Sequence, residues 1–192
     1  MKVIAGGVTA PKGFQAASCA AGIKYQGRTD MAMIYSEAPC STAGTFTTNV
    51  VKAAPVKWDQ QVLETGSKVQ AVIVNSGIAN ACTGAEGYGY CKETAEAAAV
   101  ALGIAADQVV IGSTGVIGMQ LPIEKLKAGV KQMAESKSGT IEAGTGAAMA
   151  IKTTDTCEKQ IAVQCDISGT TVTIGAMAKG SGMIHPNMCT ML

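Results

Sequence analysis

Residues 69–77, Val-Gln-Ala-Val-Ile-Val-Asn-Ser-Gly, and residues 108–115, Gln-Val-Val-Ile-Gly-Ser-Thr-Gly, share one design: a short β-branched run followed by a small, Gly-bearing segment. Each reads as a buried strand running into a Gly-rich turn, because compact apolar runs bounded by turn residues suit strands covered on both faces. The stretch between them decides the fold class. Residues 86–102 carry Ala, Val and Leu with no Gly or Pro after Gly89, which predicts a helix with a small-residue face. Beyond the second run, Pro122 is followed by Ile123, Leu126, Val130 and Met133, spaced by 3, 4 and 3, which predicts a second helix with Pro in its first turn. Strand, helix, strand, helix makes the middle of the chain α/β.

Outward from there the period changes. Residues 160–167 and 171–178 alternate apolar and polar on either side of Ser168-Gly169-Thr170, which predicts a β-hairpin. Residues 28–35, Arg-Thr-Asp-Met-Ala-Met-Ile-Tyr, read as a further strand. There is no internal repeat and no low-complexity linker, so residues 1–192 form one unit.

Composition bounds the function. The chain is 47% hydrophobic, 15% charged and has a net charge of +1. No Lys/Arg run stands out, so nucleic acid and anionic membranes are not expected partners, and small metabolites and proteins are. A mean hydropathy of +0.24 with so little charge suggests apolar surface that meets another chain. Seven scattered cysteines (Cys19, Cys40, Cys82, Cys91, Cys157, Cys165, Cys189) form no C-x-x-C. Residues 1–7 resemble no signal peptide, so a reducing cytoplasm, no disulfide framework, no metal and no bound cofactor are expected.

Three stretches could carry chemistry. Residues 112–118, Gly-Ser-Thr-Gly-Val-Ile-Gly, are open to two readings: a tight turn, or a concavity of backbone N–H groups for an anion or developing oxyanion. The order and Lys of a P-loop are absent. Imidazole chemistry has only His185 to draw on, beside Pro186. Thr190 offers another route, since a Thr at a chain's N-terminus can use its own α-amine, with a pKa near about 8, as the base. That amine would have to be freed by cleavage of the Cys189-Thr190 bond, with the Gly/Pro-bearing residues 180–186 as the strained loop. Otherwise Thr190 is a buried Thr. Lys179, ending an apolar strand, either captures a substrate carboxylate or reaches solvent; Thr153-Thr154 before Asp155 complete the polar candidates.

The same stretches resemble the ornithine acetyltransferase family, the bifunctional ArgJ-type enzymes of arginine biosynthesis. The resemblance runs nearly the whole chain: GGVTAPKGFQAA at 6–17, TFTTNVVKAAPV at 45–56, VNSGIANACTG at 74–84, GSTGVIG at 112–118, TTDT at 153–156 and AKGSGMIHPNMCTML at 178–192. It implies an αββα sandwich shared with the DmpA-type aminopeptidases, completed by a separate β chain. It implies self-cleavage between Cys189 and Thr190, with Thr190 as nucleophile and Thr114 and Gly115 as the oxyanion hole. Thr153, Lys179 and Thr190 match substrate-binding positions. The implied reaction is ping-pong transfer of acetyl from N-acetylornithine to glutamate in an α2β2 heterotetramer, with acetyl-CoA as a further donor in bifunctional members. Ile78 departs from the Asn expected in the family, and Cys189 from the commoner Ala. A processed first chain would end at Cys189, so Thr190-Met191-Leu192 read as the start of a strand of the second.

Two other readings compete. A DmpA-type aminopeptidase would share the nucleophile on the same fold, without the full HPNMCTML motif. A non-enzymatic module would use GSTGVIG as an anion cradle.

Overall fold

A computed structural model describes residues 1–180, 187–188 and 191–192. In chain order the elements are β1 (Lys2–Ile4), β2 (Phe14–Cys19), β3 (Met31–Cys40), α1 (Ala54–Glu64), β4 (Val69–Ile78), α2 (Gly84–Leu102), β5 (Val109–Val116), α3 (Ile123–Ser136), α4 (Ile141–Ala150), β6 (Lys159–Ile167) and β7 (Thr170–Ala178). They build two sheets, β2-β3-β4-β5 and β1-β6-β7. In the larger sheet only β4 and β5 are parallel, joined through α2; the rest is antiparallel.

Alternation along the strands feeds two cores from one sheet. Ala17, Met31, Met33, Ala71, Ile73 and Val109 point to one face, where Trp58, Cys91, Ala95, Leu126, Val130 and Met133 of α1, α2 and α3 cover them. Ala16, Ala32 and Val74 point to the other, against Ala147 and Ala150 of α4 and Met177 of β7. Each large side chain wholly buried on the first face contributes roughly 1.5–3 kcal/mol. The second face is lined by alanines, so α4 lies close on the sheet. Ile78 is buried in the helix-side core, and its carbonyl accepts a hydrogen bond from Asn75 Nδ2 at 2.8 Å.

The hairpin of β6 and β7 closes on Ser168 and Gly169, at φ of 52° and 79°, between the paired Ile167 and Thr170. Positive φ at both turn residues matches the right-handed twist of the strands. Helix α2 ends on Gly103 at φ 69°, whose N–H returns to Ala99 O, a left-handed glycine stop.

Three sequence expectations change. The segments Asn75-Ser76-Gly77 and Gly112-Ser113-Thr114-Gly115 are not turns: β4 and β5 continue through them, paired residue for residue as far as Ile78 and Val116. Pro122 precedes α3 rather than opening it, its carbonyl accepting from Lys125 N at 2.9 Å. The strand expected from residue 28 starts at Met31, because Asp30 is taken up by a turn in which its carboxylate accepts the N–H groups of Ala21 and Ile23 at 2.8 and 2.7 Å.

Candidate active site

The outer edge of β5, away from β4, explains how residue 115 comes to offer its N–H. Trp58 Nε1 donates to Val109 O at 2.9 Å, and Ile111 N donates to Asp59 Oδ1 at 2.8 Å. Both groups therefore face away from β4, while Ala79 N donates to Val116 O at 2.8 Å on the β4 side. Successive residues in a strand alternate, so the even residues of β5 bond β4 and the odd ones, Gly115 included, turn their N–H to the outer edge. Gly115 sits at φ 137°, and a Cβ there would overlap the carbonyl of Gly77. Only a glycine at 115 lets the strands stay this close. Burial lifts the Asp59 carboxyl to about 7, against the opposing hydrogen bond from Ile111 N.

Thr114, 3% exposed, lies at the C-terminal end of this parallel pair, the end at which open α/β sheets bind ligands. Lys179, just past β7 and also 3% exposed, reaches it: its Nζ donates to Thr114 Oγ1 and to Thr153 Oγ1, both at 2.9 Å. Thr153 comes from the connection between α4 and β6. Three segments far apart in the chain thus deliver one cluster, buried at Thr114 and Lys179 and half-buried at Thr153. Burial holds the Lys179 ammonium below its ordinary value; the Lys159 charge adds to this and Asp155 opposes it.

Asp155 anchors the cluster from behind. Its carboxylate pairs with Lys159 Nζ and accepts Gly180 N at 3.0 Å and Thr153 N at 3.5 Å. Burial works against its charge, but these partners win and lower the carboxyl to about 2. The last described residues close in beside it. Lys179 N donates to Leu192 O at 2.9 Å and Leu192 N to Lys179 O at 3.3 Å. Asn187, at φ 50°, donates from Nδ2 to Thr48 Oγ1 at 2.6 Å and accepts Thr48 N at 3.3 Å.

The structure therefore brings Thr114, Gly115, Thr153 and Lys179 to one place, whereas His185, Cys189 and Thr190 lie outside the described residues. Sequence reasoning gave no role to Asp155, Thr48 or Asn187. The signal available was that each lies in a stretch already quoted for the family resemblance. Among the described residues no three His, Cys, Asp or Glu side chains gather to hold a metal, and no helix is long and apolar enough to cross a membrane.

The ArgJ family model matches residues 15–192. The arginine biosynthesis bifunctional protein ArgJ of Symbiobacterium thermophilum is 54% identical over all of this chain and 48% of its own length. The chloroplastic ArgJ protein of Zea mays is 46% identical over all of this chain and 41% of its own length. The chain thus spans about half the length of the curated relatives it matches. A crystal structure of the Bacillus halodurans ArgJ protein superposes with a TM-score of 0.92 at 43% identity, covering 98% of this chain and 97% of that one. The ornithine acetyltransferase of Mycobacterium tuberculosis, solved with ornithine, gives 0.91 at 47% identity, covering 100% and 99%. These matches do not favour the aminopeptidase or the anion-binding module. With the α/β fold of these structures and a family match over most of its length, the chain belongs to the ArgJ family.

Proposed function

We propose that this chain is the first portion of a self-cleaving acetyltransferase of arginine biosynthesis, which moves the acetyl group of N-acetylornithine to glutamate through an acetyl-threonine enzyme. The observation that carries the reading is the buried Lys179 ammonium bridging Thr114 and Thr153. Cleavage at Cys189-Thr190 frees the Thr190 α-amine. That amine takes the hydroxyl proton as Oγ attacks the acetyl carbonyl, and returns a proton to departing ornithine. Glutamate's amine then attacks the acetyl ester and regenerates Thr190.

In this scheme Thr114 Oγ and Gly115 N–H stabilise the oxyanion. A lysine ammonium only donates, so its bond to Thr114 Oγ1 turns the Thr114 hydroxyl proton away from Lys179 and leaves it for the oxyanion. Thr153, Lys179 and Thr190 hold substrate, and the third Lys179 donor suits a carboxylate. No metal or bound cofactor is required, and acetyl-CoA would enter as a substrate. A β chain from the same precursor completes the site in a cytoplasmic α2β2 heterotetramer. In support, the solved relatives carry a chain of this extent, covered to 97% and 99%, whereas the curated relative is covered to 48%.

The test uses the full-length gene product. Mass spectrometry is expected to find cleavage before Thr190, lost in Thr190→Ala. Initial rates with N-acetylornithine and glutamate should give the parallel double-reciprocal lines of ping-pong kinetics. Thr114→Val should lower kcat by about 10²–10³-fold, the usual effect of losing one oxyanion donor. Intact precursor, or peptide hydrolysis without acetyl transfer, would overturn the reading.

A further inference from the structure

Helix α4 has no basic side chain in its last turn, so the carbonyls at its end, which lack partners within the helix, are met from elsewhere. Two donors distant in sequence meet them. Ser76 Oγ donates to Ala150 O at 2.7 Å, and Arg28 Nη2 donates to Lys152 O at 2.5 Å.

What these bonds fix is Thr153. The peptide group joining Lys152 to Thr153 is held at both ends, its carbonyl by Arg28 and its N–H by Asp155 Oδ2 at 3.5 Å. Ser76 sets where that peptide lies against the larger sheet. Val74 points to the α4 face, so Ser76, two residues on, points there too, and it pairs in register with Thr114 across the parallel strands. Ser76 is 0% and Ala150 1% exposed, and alanine at 76 would leave the buried Ala150 carbonyl without its donor. One buried hydroxyl thus ties the end of α4 to the rung that carries Thr114. Lys179 Nζ spans Thr114 Oγ1 and Thr153 Oγ1 at 2.9 Å each, a bridge that lasts only while the two threonines keep their separation.

The geometry points to Ser76 and Arg28 as positioning residues: together they hold the end of α4 so that Thr153 stays within reach of the Lys179 ammonium beside Thr114. The inference rests on the reading of Thr153 as a substrate-holding residue only for its kinetic consequence.

The test uses the full-length protein. Crystal structures of the wild type and of Ser76→Ala should show Thr153 Oγ1 moved beyond about 3.5 Å from Lys179 Nζ in the variant alone, with the Thr114 bond kept. Because Thr153 is read as holding substrate rather than developing charge, Ser76→Ala should raise KM for N-acetylornithine about 3–10-fold, the worth of one hydrogen bond, with kcat within about twofold. Arg28→Met, at a half-buried position, carries the same expectations and keeps the test open if the Ser76→Ala protein does not fold. In a Thr153→Ala background neither substitution should raise KM further by more than about twofold, because residues acting through Thr153 are not additive with its loss. Equal KM factors in both backgrounds would mean that Ser76 and Arg28 act independently of Thr153, and would overturn the inference. So would a lowered kcat at unchanged KM, or an intact Thr153–Lys179 bond in the variant crystals. Wild-type protein without acetyl transfer would overturn the functional reading instead, and the crystallographic distances would still decide the positioning role.

Discussion

At the scale of the residue, Lys179 holds the site together with two neutral acceptors, and Asp155 keeps the surrounding backbone in place. Asp155 is the group whose titration should be felt in stability. Its folded pKa of about 2 lies below the ordinary 3.8, so its contribution is present above the ordinary value and lost as pH falls through about 2. Linkage sets that contribution at no more than roughly 2–3 kcal/mol. Asp155→Asn is therefore expected to unfold in urea about 1–2 kcal/mol below wild type at pH 6, with the gap closing towards pH 2. A gap independent of pH would mean that shape, not charge, makes Asp155 matter. Lys179 titrates with the same sense: burial holds it below its ordinary value, so its charged form costs stability that is recovered as pH rises from its folded pKa to its ordinary one.

At the scale of the element, the parallel pair β4 and β5 is the part of the fold on which the proposed chemistry depends. Its close pairing past Val74 and Gly112 rests on the glycine at 115, whose missing side chain leaves room for the Gly77 carbonyl. Gly115→Ala places a Cβ into the Gly77 carbonyl at a positive φ. It should cost at least about 3 kcal/mol or prevent folding, measurable as soluble yield and Tm. A folded Gly115→Ala protein with wild-type Tm would contradict the close approach of the two strands. The Gly-rich runs of these strands were legible as special but not as strand, because Gly and Ser signal a turn locally. Pairing with a similar neighbouring strand overrides that signal, and the neighbour is 38 residues away in the register Ile73↔Ile111. Helix α1 was missed for a related reason: Trp58 and Asp59 give it purpose only against the edge of β5.

At the scale of the whole molecule, one sheet separates two cores of different texture. The side covered by α1, α2 and α3 holds Met31, Met33, Ile73 and Met133, whose volume tolerates exchange among apolar residues. The side under α4 holds Ala16, Ala32, Ala147 and Ala150, each 0–1% exposed. Ala147→Leu should overpack this narrow layer at a cost of about 1–3 kcal/mol. Because the strands serve both cores, thermal unfolding followed by circular dichroism should remain a single transition. Two separate transitions would show that the cores are independent.

Local pattern by itself determined the α/β alternation of the middle segment, the hairpin of β6 and β7, and, through long shared motifs, the family with Thr114, Gly115, Thr153 and Lys179 as candidates. These features are written within a few residues of one another, in side-chain period, turn chemistry and contiguous motif. Only the tertiary structure decided that Lys179 reaches Thr114 and Thr153 at 2.9 Å, and that Asp155 anchors the backbone at Thr153 and Gly180. Those facts depend on which distant segments share a sheet and on the burial that follows. No periodicity along the chain encodes them.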